Sequence, residues 1–266
     1  PELTGDIRIP FDEIEKMPLS ERKICGRRAA LELKKDTLVN LGIGMPDAIA
    51  AVAAEEGVSS KFTLSIESGV LGGVPLGGLA LGGSINPEAF YKMADILNIY
   101  DGGGLNMAVL GLAEMDEKGN LNVSKFNGKV VGPGGFINIS QSTPFVIFTG
   151  TFTAGKSDIR VENGKLNIVK DGNVMKFKKQ VEQITFSGEM AIKNEQKVMI
   201  VTERAVFLWT TEGLMLTEYA PGVDVEKDII AKMEFRPLIS SDLKEMDEAI
   251  FRDEPMGEEW FCGIND

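Results

Sequence analysis

The stretch SIESGVLGGVPLGGLALGG, residues 65–83, holds one charged side chain, Glu67. The carboxylate closes the apolar run KFTLSI and is followed only by glycine, aliphatic residues, one serine and one proline. A carboxylate so placed is partly withdrawn from water, and it can act as a general base, a general acid or a nucleophile. The nucleophilic role requires it to stay ionised, so hydrogen bonds must offset its desolvation. Gly69, Gly72 and Gly73 let backbone come close and leave N–H groups to face a ligand. The plainer alternative is a loop glutamate facing solvent, and the apolar flanks argue against it.

Other glycine-rich turns offer candidate binding groups. In NGKVVGPGGFINIS (127–140), Gly132, Gly134 and Gly135 lie between two expected strands. A nest of backbone N–H groups there would hold a thioester carbonyl or a phosphate; a tight turn around Pro133 is the alternative. In NLGIGMP (40–46), Gly42 and Gly44 either admit an anion to a helix N-terminus or serve a plain strand-to-helix turn. GTFTAGKS (150–157) matches the letters of a phosphate-binding P-loop, which needs a helix after it. The residues after it read as a hairpin, so Lys156 is assigned to the surface. Cys25 is assigned to the core face of a helix, and Cys262 has no base near it in sequence. Arg27, Arg28, Lys34 and Lys35 are assigned to a solvated helix face.

Composition narrows the chemistry. The 266 residues contain no histidine, which removes Ser-His-Asp and Cys-His mechanisms and every histidine metal ligand. No metal set is proposed. The net charge of −12 argues against nucleic-acid binding. Two cysteines make no disulfide framework, and no apolar stretch is long enough to span a bilayer, so a cytoplasmic, membrane-free setting is expected.

The elements that must position these groups are legible from periodicity and punctuation. Ser20 caps a helix through ERKICGRRAALELKK; TLVNLGIG (37–44) is a strand; Pro46 opens a helix that Gly57 stops. KFTLSI (61–66) is a second strand, and NPEAFYKMADIL (86–97) repeats the cap-then-proline helix start. Alternating strand and helix imply an open, mainly parallel α/β sheet. The middle is richer in strands, including GGFINIS, PFVIFTG, ITFSG, KVMIVTE and RAVFLWTTEGLMLTE. Residues 158–178 form a hairpin with turns at Asn163-Gly164 and Asp171-Gly172. DVEKDIIAKM and SSDLKEMDEAIF are closing helices. Residues 1–18 read as a linker from an upstream half, 19–252 as the domain, and 253–266 as a tail.

SIESGVLGG resembles the E-x-G motif of family I CoA-transferases, and GPGGF resembles their G-x-G-G-F motif. NLGIGMP, YDGGGL, SKFNGK, KLNIV, ITFSG, TERAVF and APGVD occur in similar order in the acetate/propionate branch. The resemblance spans the chain from about Met17 onward. It implies the CoA-transferase fold of the NagB/ribose-phosphate-isomerase type, represented here by its C-terminal half. The N-terminal half is then an expected partner, in the same or a separate chain, within an oligomer. The resemblance further implies that Glu67 is the nucleophile in a ping-pong transfer of CoA between short-chain acids such as acetate, propionate, butyrate, lactate or acetoacetate. Gly134 and Gly135 become candidate oxyanion donors and Lys129 a candidate for a CoA phosphate, with Gly42, Gly44 and Gly69 in the substrate loops. CoA enters as substrate and covalent thioester, with no tightly bound cofactor. A non-catalytic CoA-binding half or an acyl-CoA hydrolase on the same fold are the alternatives.

Overall fold

Ser20 starts the first helix as its type predicts. Its hydroxyl accepts from the Lys23 amide at 3.4 Å, and α1 runs Glu21–Ala30. The computed structural model describes all residues except Glu15, Gly78, Leu79, Leu81 and Asp266, and leaves aside the side chains of Asp12, Cys262 and Asn265. The expectation for Cys262 therefore lies outside the described residues. α2 (Ala48–Glu55) follows Pro46 and stops at Gly57, whose φ of 75° suits a residue without a Cβ. Two more helices matter for the site, α3 (Met93–Asp101) and α4 (Phe136–Ser142), and α5 (Gly188–Lys193) caps on Ser187.

A ten-stranded sheet forms the centre. Its strands are β1 (Leu38–Leu41), β2 (Thr63–Ser65), β3 (Val70–Leu71), β4 (Ala89–Phe90) and β5 (Met107–Gly111). They continue with β6 (Phe145–Thr149), β7 (Lys197–Val201), β8 (Ala205–Thr210), β9 (Gly213–Tyr219) and β10 (Leu238–Glu245). The spatial order is β10-β9-β8-β7-β6-β5-β1-β2-β3-β4. The central block β2-β1-β5-β6-β7 is parallel. α1 packs on α2 and touches β6 and β7, while α3 packs on α4 and α4 lies against β5. Because helices cover the sheet, β5 and β6 read as unbroken apolar runs rather than alternating ones. From β1 the chain moves outward through β2 to β4, then returns to β5 on the other side of β1. Strand order thus reverses between β1 and β5, and ligands of open α/β sheets gather beyond the carboxyl ends at such a point. Among the described residues, no helix is long and apolar enough to cross a membrane.

Several expected elements differ. Asn86-Pro87 does not start a helix: Asn86 takes φ 58° and exchanges hydrogen bonds with the Ile9 backbone at 2.9 and 2.7 Å. Ala89–Phe90 then pairs with β3, and the helix waits for Met93. FINIS is not a strand but α4, with Gly135 at its N-cap. ITFSG contributes only a bridge from Phe186 to Leu121. SSDLKE belongs to β10, because the outer edge of β9 supplies a pairing partner that local helical preference does not outweigh. The hairpin Asp158–Glu162/Lys165–Lys170 turns at Asn163-Gly164 as expected, but past Asp171-Gly172 the chain pairs with Thr153–Ala154 instead. After β6 no helix follows GTFTAGKS, and Lys156 is exposed.

The basic cluster on α1 divides. Lys34 and Lys35 are exposed, but Arg27 is fully buried and Arg28 nearly so. Arg27 donates to the Arg252 carbonyl and, at 2.8 Å, to that of Glu254, with Glu55 and Glu56 at 3.6 and 3.8 Å. Arg28 makes a two-pronged pair with Glu218 at 2.6 and 2.9 Å. Glu56 in turn accepts from the amides of Met256 and Gly257 at 3.0 and 2.9 Å. The last segment, read from sequence as a tail, buries Met256, Phe261 and Ile264. Cys25 is fully buried, as its helix position predicts, and burial pushes its thiol up.

A second buried charge cluster carries a pH dependence. Arg204 is fully buried and pairs with Glu203 at 2.6 Å and Asp171 at 2.7 Å. Burial favours the neutral form of Asp171, but the hydrogen bonds and charges of Arg204 and Lys232 outweigh it and hold the carboxyl below the usual range. That stabilisation is complete above about pH 4, where the unfolded carboxylate is ionised, and is lost as pH falls through the depressed native value. Urea midpoints measured against pH should show Asp171→Asn less stable at neutral pH and with a smaller acid loss than the parent chain.

Candidate active site

β2 ends at Ser65, and Glu67 stands in the turn just past it, at the carboxyl end of the strand beside β1. The turn is tight. The Gly69 amide donates to the Ile66 carbonyl at 2.9 Å, and the Gly72 amide to Leu64 at 2.8 Å. Glu67 is half-buried, and its Oε2 is buried with no hydrogen-bond partner among the described residues. An anionic oxygen left this way is costly unless a ligand or partner supplies a donor.

The second glycine-rich turn reaches the same place. A Cβ built on Gly135 would lie 3.5 Å from Glu67 Cγ and 3.6 Å from its Cβ, so the Gly135 backbone backs directly onto the Glu67 side chain. Gly132 commits its amide to the Ser124 carbonyl at 3.2 Å, and Phe136 donates to Pro133 at 3.1 Å. The amides of Gly134 and Gly135 have no partner among the described residues. The fold thus sets the Glu67 side chain beside a turn that carries two uncommitted N–H groups, from segments far apart in sequence.

The remaining glycines are explained by backbone geometry. Gly69 has φ 110°, and a Cβ there would collide with the Tyr91 carbonyl oxygen. A Cβ on Gly73 would strike the Ile85 carbonyl in the same way. The amides of Gly69 and Gly72 are spent inside the turn, so they do not face a ligand. The Gly-Gly pairs at 72–73 and 82–83 each lead into one strand of a small ladder, Val74–Pro75 against Ser84–Ile85. Gly42 donates to the Val109 carbonyl at 2.8 Å, and a Cβ there would crowd Leu110 Cδ2 at 3.2 Å. Gly44 takes φ 90° in open space, a turn position. Lys129 is exposed on the hairpin Lys125–Phe126/Lys129–Val130, which turns through Asn127 and Gly128. Gly69→Ala should lower expression or melting temperature outright, because both φ and the Tyr91 carbonyl reject it; unchanged melting would contradict this geometry.

Two polar residues near Glu67, Asn40 and Tyr100, escaped the sequence reading. Asn40 is fully buried in β1, opposite Ser65 in the β1–β2 register. Its Nδ2 donates to Tyr100 Oη at 3.2 Å and to the Ser65 carbonyl at 3.3 Å, while Oδ1 is buried without a partner among the described residues. Tyr100, on α3, is fully buried. Burial pushes its hydroxyl pKa up and the nearby Glu67 charge adds to this, while hydrogen bonds from Ser65 and Asn40 oppose it. A polar residue inside the apolar run LVNLG was the available signal for Asn40. Nothing local marked Tyr100.

Comparison with known proteins decides the family. No family model matches the chain. Caffeate CoA-transferase of Acetobacterium woodii is 46% identical over 256 residues, covering 94% of this chain and 49% of that protein. The chain therefore spans about half the length of such curated relatives. Acetate CoA-transferase subunit beta of Haemophilus influenzae is 30% identical over 246 residues, and here the match takes in 96% of the relative. The chain belongs to the family I CoA-transferases. The fold agrees: the acyl-CoA transferase YdiF of Escherichia coli O157:H7, solved as a thioester complex with CoA, superposes with a TM-score of 0.86 at 44% identity. That match covers 92% of this chain and 46% of the other. The open, mainly parallel α/β architecture of this CoA-transferase domain is thus the one its motifs imply.

Proposed function

We propose that this chain is the glutamate-bearing half of an enzyme that moves CoA between short-chain carboxylic acids of the acetate/propionate kind. One observation carries the proposal: Gly135 backs onto the Glu67 side chain, so a carboxylate with an unpartnered buried oxygen stands beside the turn that carries two uncommitted amides. Glu67 attacks the acyl-CoA carbonyl, the C–S bond breaks, and CoA thiolate leaves an acyl-glutamyl anhydride. The thiolate then attacks the glutamyl carbonyl, which releases the first acid and leaves a Glu67–CoA thioester. A second carboxylate reverses both steps. No proton has to change hands, which suits a chain without histidine.

Each attack develops an oxyanion, and the amides of Gly134 and Gly135 are its donors. One such donor is worth roughly 2.7–4 kcal/mol in the transition state. The apolar flanks of Glu67 keep out water, which would otherwise hydrolyse anhydride and thioester. Lys129, an exposed cation on its hairpin, is assigned to a CoA phosphate. Binding energy from the distant parts of CoA helps a weak carboxylate nucleophile reach the transition state.

The N-terminal half completes the enzyme, as a preceding part of the same chain or as a separate subunit, within a cytoplasmic oligomer. The relatives support both arrangements: one is about twice this length and one is named a subunit beta. Exposed apolar side chains next to the site-bearing segments, Ile43, Phe90, Tyr91, Met93, Val130 and Val131, suit such a neighbour. Initial rates with the two halves together test the reaction class. Parallel lines in double-reciprocal plots against acyl-CoA and acceptor acid are expected; intersecting lines would contradict a covalent shuttle.

A further inference from the structure

We propose that Tyr100 is a positioning residue for the Glu67 site, acting through Asn40. The inference rests on the CoA-transfer reading above and adds a part to it. Tyr100 is fully buried on α3, where a phenylalanine would fill the same space. Its hydroxyl is therefore the part that needs a reason, because a buried O–H without partners is destabilising. Its oxygen accepts from Asn40 Nδ2, and a hydrogen bond with the Ser65 side chain joins it. The asparagine stands mid-strand in β1, between β2, which leads to Glu67, and β5, across the point where strand order reverses.

An asparagine amide has two donor hydrogens and one acceptor oxygen. Here both donors are engaged, one by Tyr100 Oη at 3.2 Å and one by the Ser65 carbonyl at 3.3 Å. Engaging Nδ2 on that side leaves Oδ1 as the free end, buried and unpartnered among the described residues. The Ser65 carbonyl, which can only accept, sets the orientation of the amide, and Tyr100 Oη takes the second N–H, so Tyr100 braces Asn40 against the residue two places before Glu67. Remove the hydroxyl, and one N–H of that brace loses its acceptor and Asn40 holds Ser65 less firmly. The phenol also lies within the field of the Glu67 carboxylate, so the network and the nucleophile share one neighbourhood.

The same end of α3 steadies the donors on the opposite side. Asp101, the next residue, accepts from Asn138 Nδ2 on α4 at 3.1 and 3.0 Å. α4 begins immediately after Gly135. Consecutive residues of one helix therefore grip the nucleophile's strand pair and the helix that follows the oxyanion donors.

The test uses the enzyme with its N-terminal half present. Rapid-mix single turnovers with acyl-CoA measure the rate of Glu67–CoA thioester formation and its half-saturation, beside melting temperature. Tyr100→Phe should slow formation about tenfold, the scale of one lost buried hydrogen bond, with half-saturation nearly unchanged. Asn40→Ala should slow it as well, and adding Tyr100→Phe to Asn40→Ala should change nothing further. Ile96→Val, one turn earlier on the same helix and fully buried, controls for simple loss of packing. An unchanged rate in Tyr100→Phe, multiplying effects in the double variant, or an equal slowing in Ile96→Val would overturn the proposal and leave CoA transfer standing. A parent enzyme that forms no thioester on Glu67 would overturn both.

Discussion

Glu67→Ala is expected to abolish CoA transfer while leaving the fold intact. Loss of a nucleophile from a site built around it costs on the order of 10⁶ in kcat where such a unit has been taken apart. Two features make the residual rate low here. No second carboxylate follows Glu67 before Glu88 in the sequence, and Glu88 sits beyond the β3 turn beside Gly72 rather than beside Gly135. Stability should hold or rise slightly, because the substitution removes a buried carboxylate oxygen that lacks a partner. Turnover by CoA-release assay and melting by circular dichroism separate the two effects. A variant that retains a tenth of the parent turnover would remove Glu67 from the mechanism.

Arg27→Ala carries the largest expected loss of stability. The guanidinium is fully buried and gathers the Arg252 and Glu254 carbonyls on one side, with Glu55 and Glu56 on the other. Breaking a buried pair by removing one partner costs about 3–5 kcal/mol, because the remaining charges stay buried. For a chain of this size that corresponds to a fall of roughly 10 °C or more in melting temperature. The exposed Lys34→Ala, a few residues further along, should stay within about 0.5 kcal/mol. Equal, small effects from both variants would mean that Arg27 does not hold α1, α2 and the last segment together.

Sequence reasoning singles out Glu67 as a candidate but misplaces Arg27. Glu67 stands out as a candidate because it is the one charge in a long apolar, glycine-rich stretch, and its place at a strand end is readable without tertiary knowledge. The parallel core was legible for the same reason: runs such as MAVLG and FVIFT announce strands covered on both faces. Arg27 was misplaced because α1 is buried nearly all round, by β6, β7, α2 and the returning last segment, so no solvent-facing stripe exists for it. Periodicity assumes such a stripe. The glycines were assigned to substrate contact, yet Gly69 and Gly73 answer to the Tyr91 and Ile85 carbonyls on neighbouring backbone. That demand is set by strand crossings that sequence spacing does not display.

The misread FINIS segment matters most for the mechanism. Isoleucine and phenylalanine favour strands, and the β-propensity of those residues hid a short helix. Placing Gly135 at a helix start brings its backbone to Glu67, which a strand running on from the turn would not have implied. Asn40 and Tyr100 show a further limit. They lie far apart in sequence, and only the tertiary fold makes them partners.

The central claim is that Glu67 itself carries CoA. Incubating the enzyme with acyl-CoA, trapping with borohydride, and sequencing the peptides by mass spectrometry tests it most directly. The account predicts CoA as a covalent adduct in the intact protein, borohydride reduction of that thioester to an alcohol, and the altered mass on Glu67 alone. Intact protein without the adduct, or reduction mapped to any other carboxylate, would contradict it.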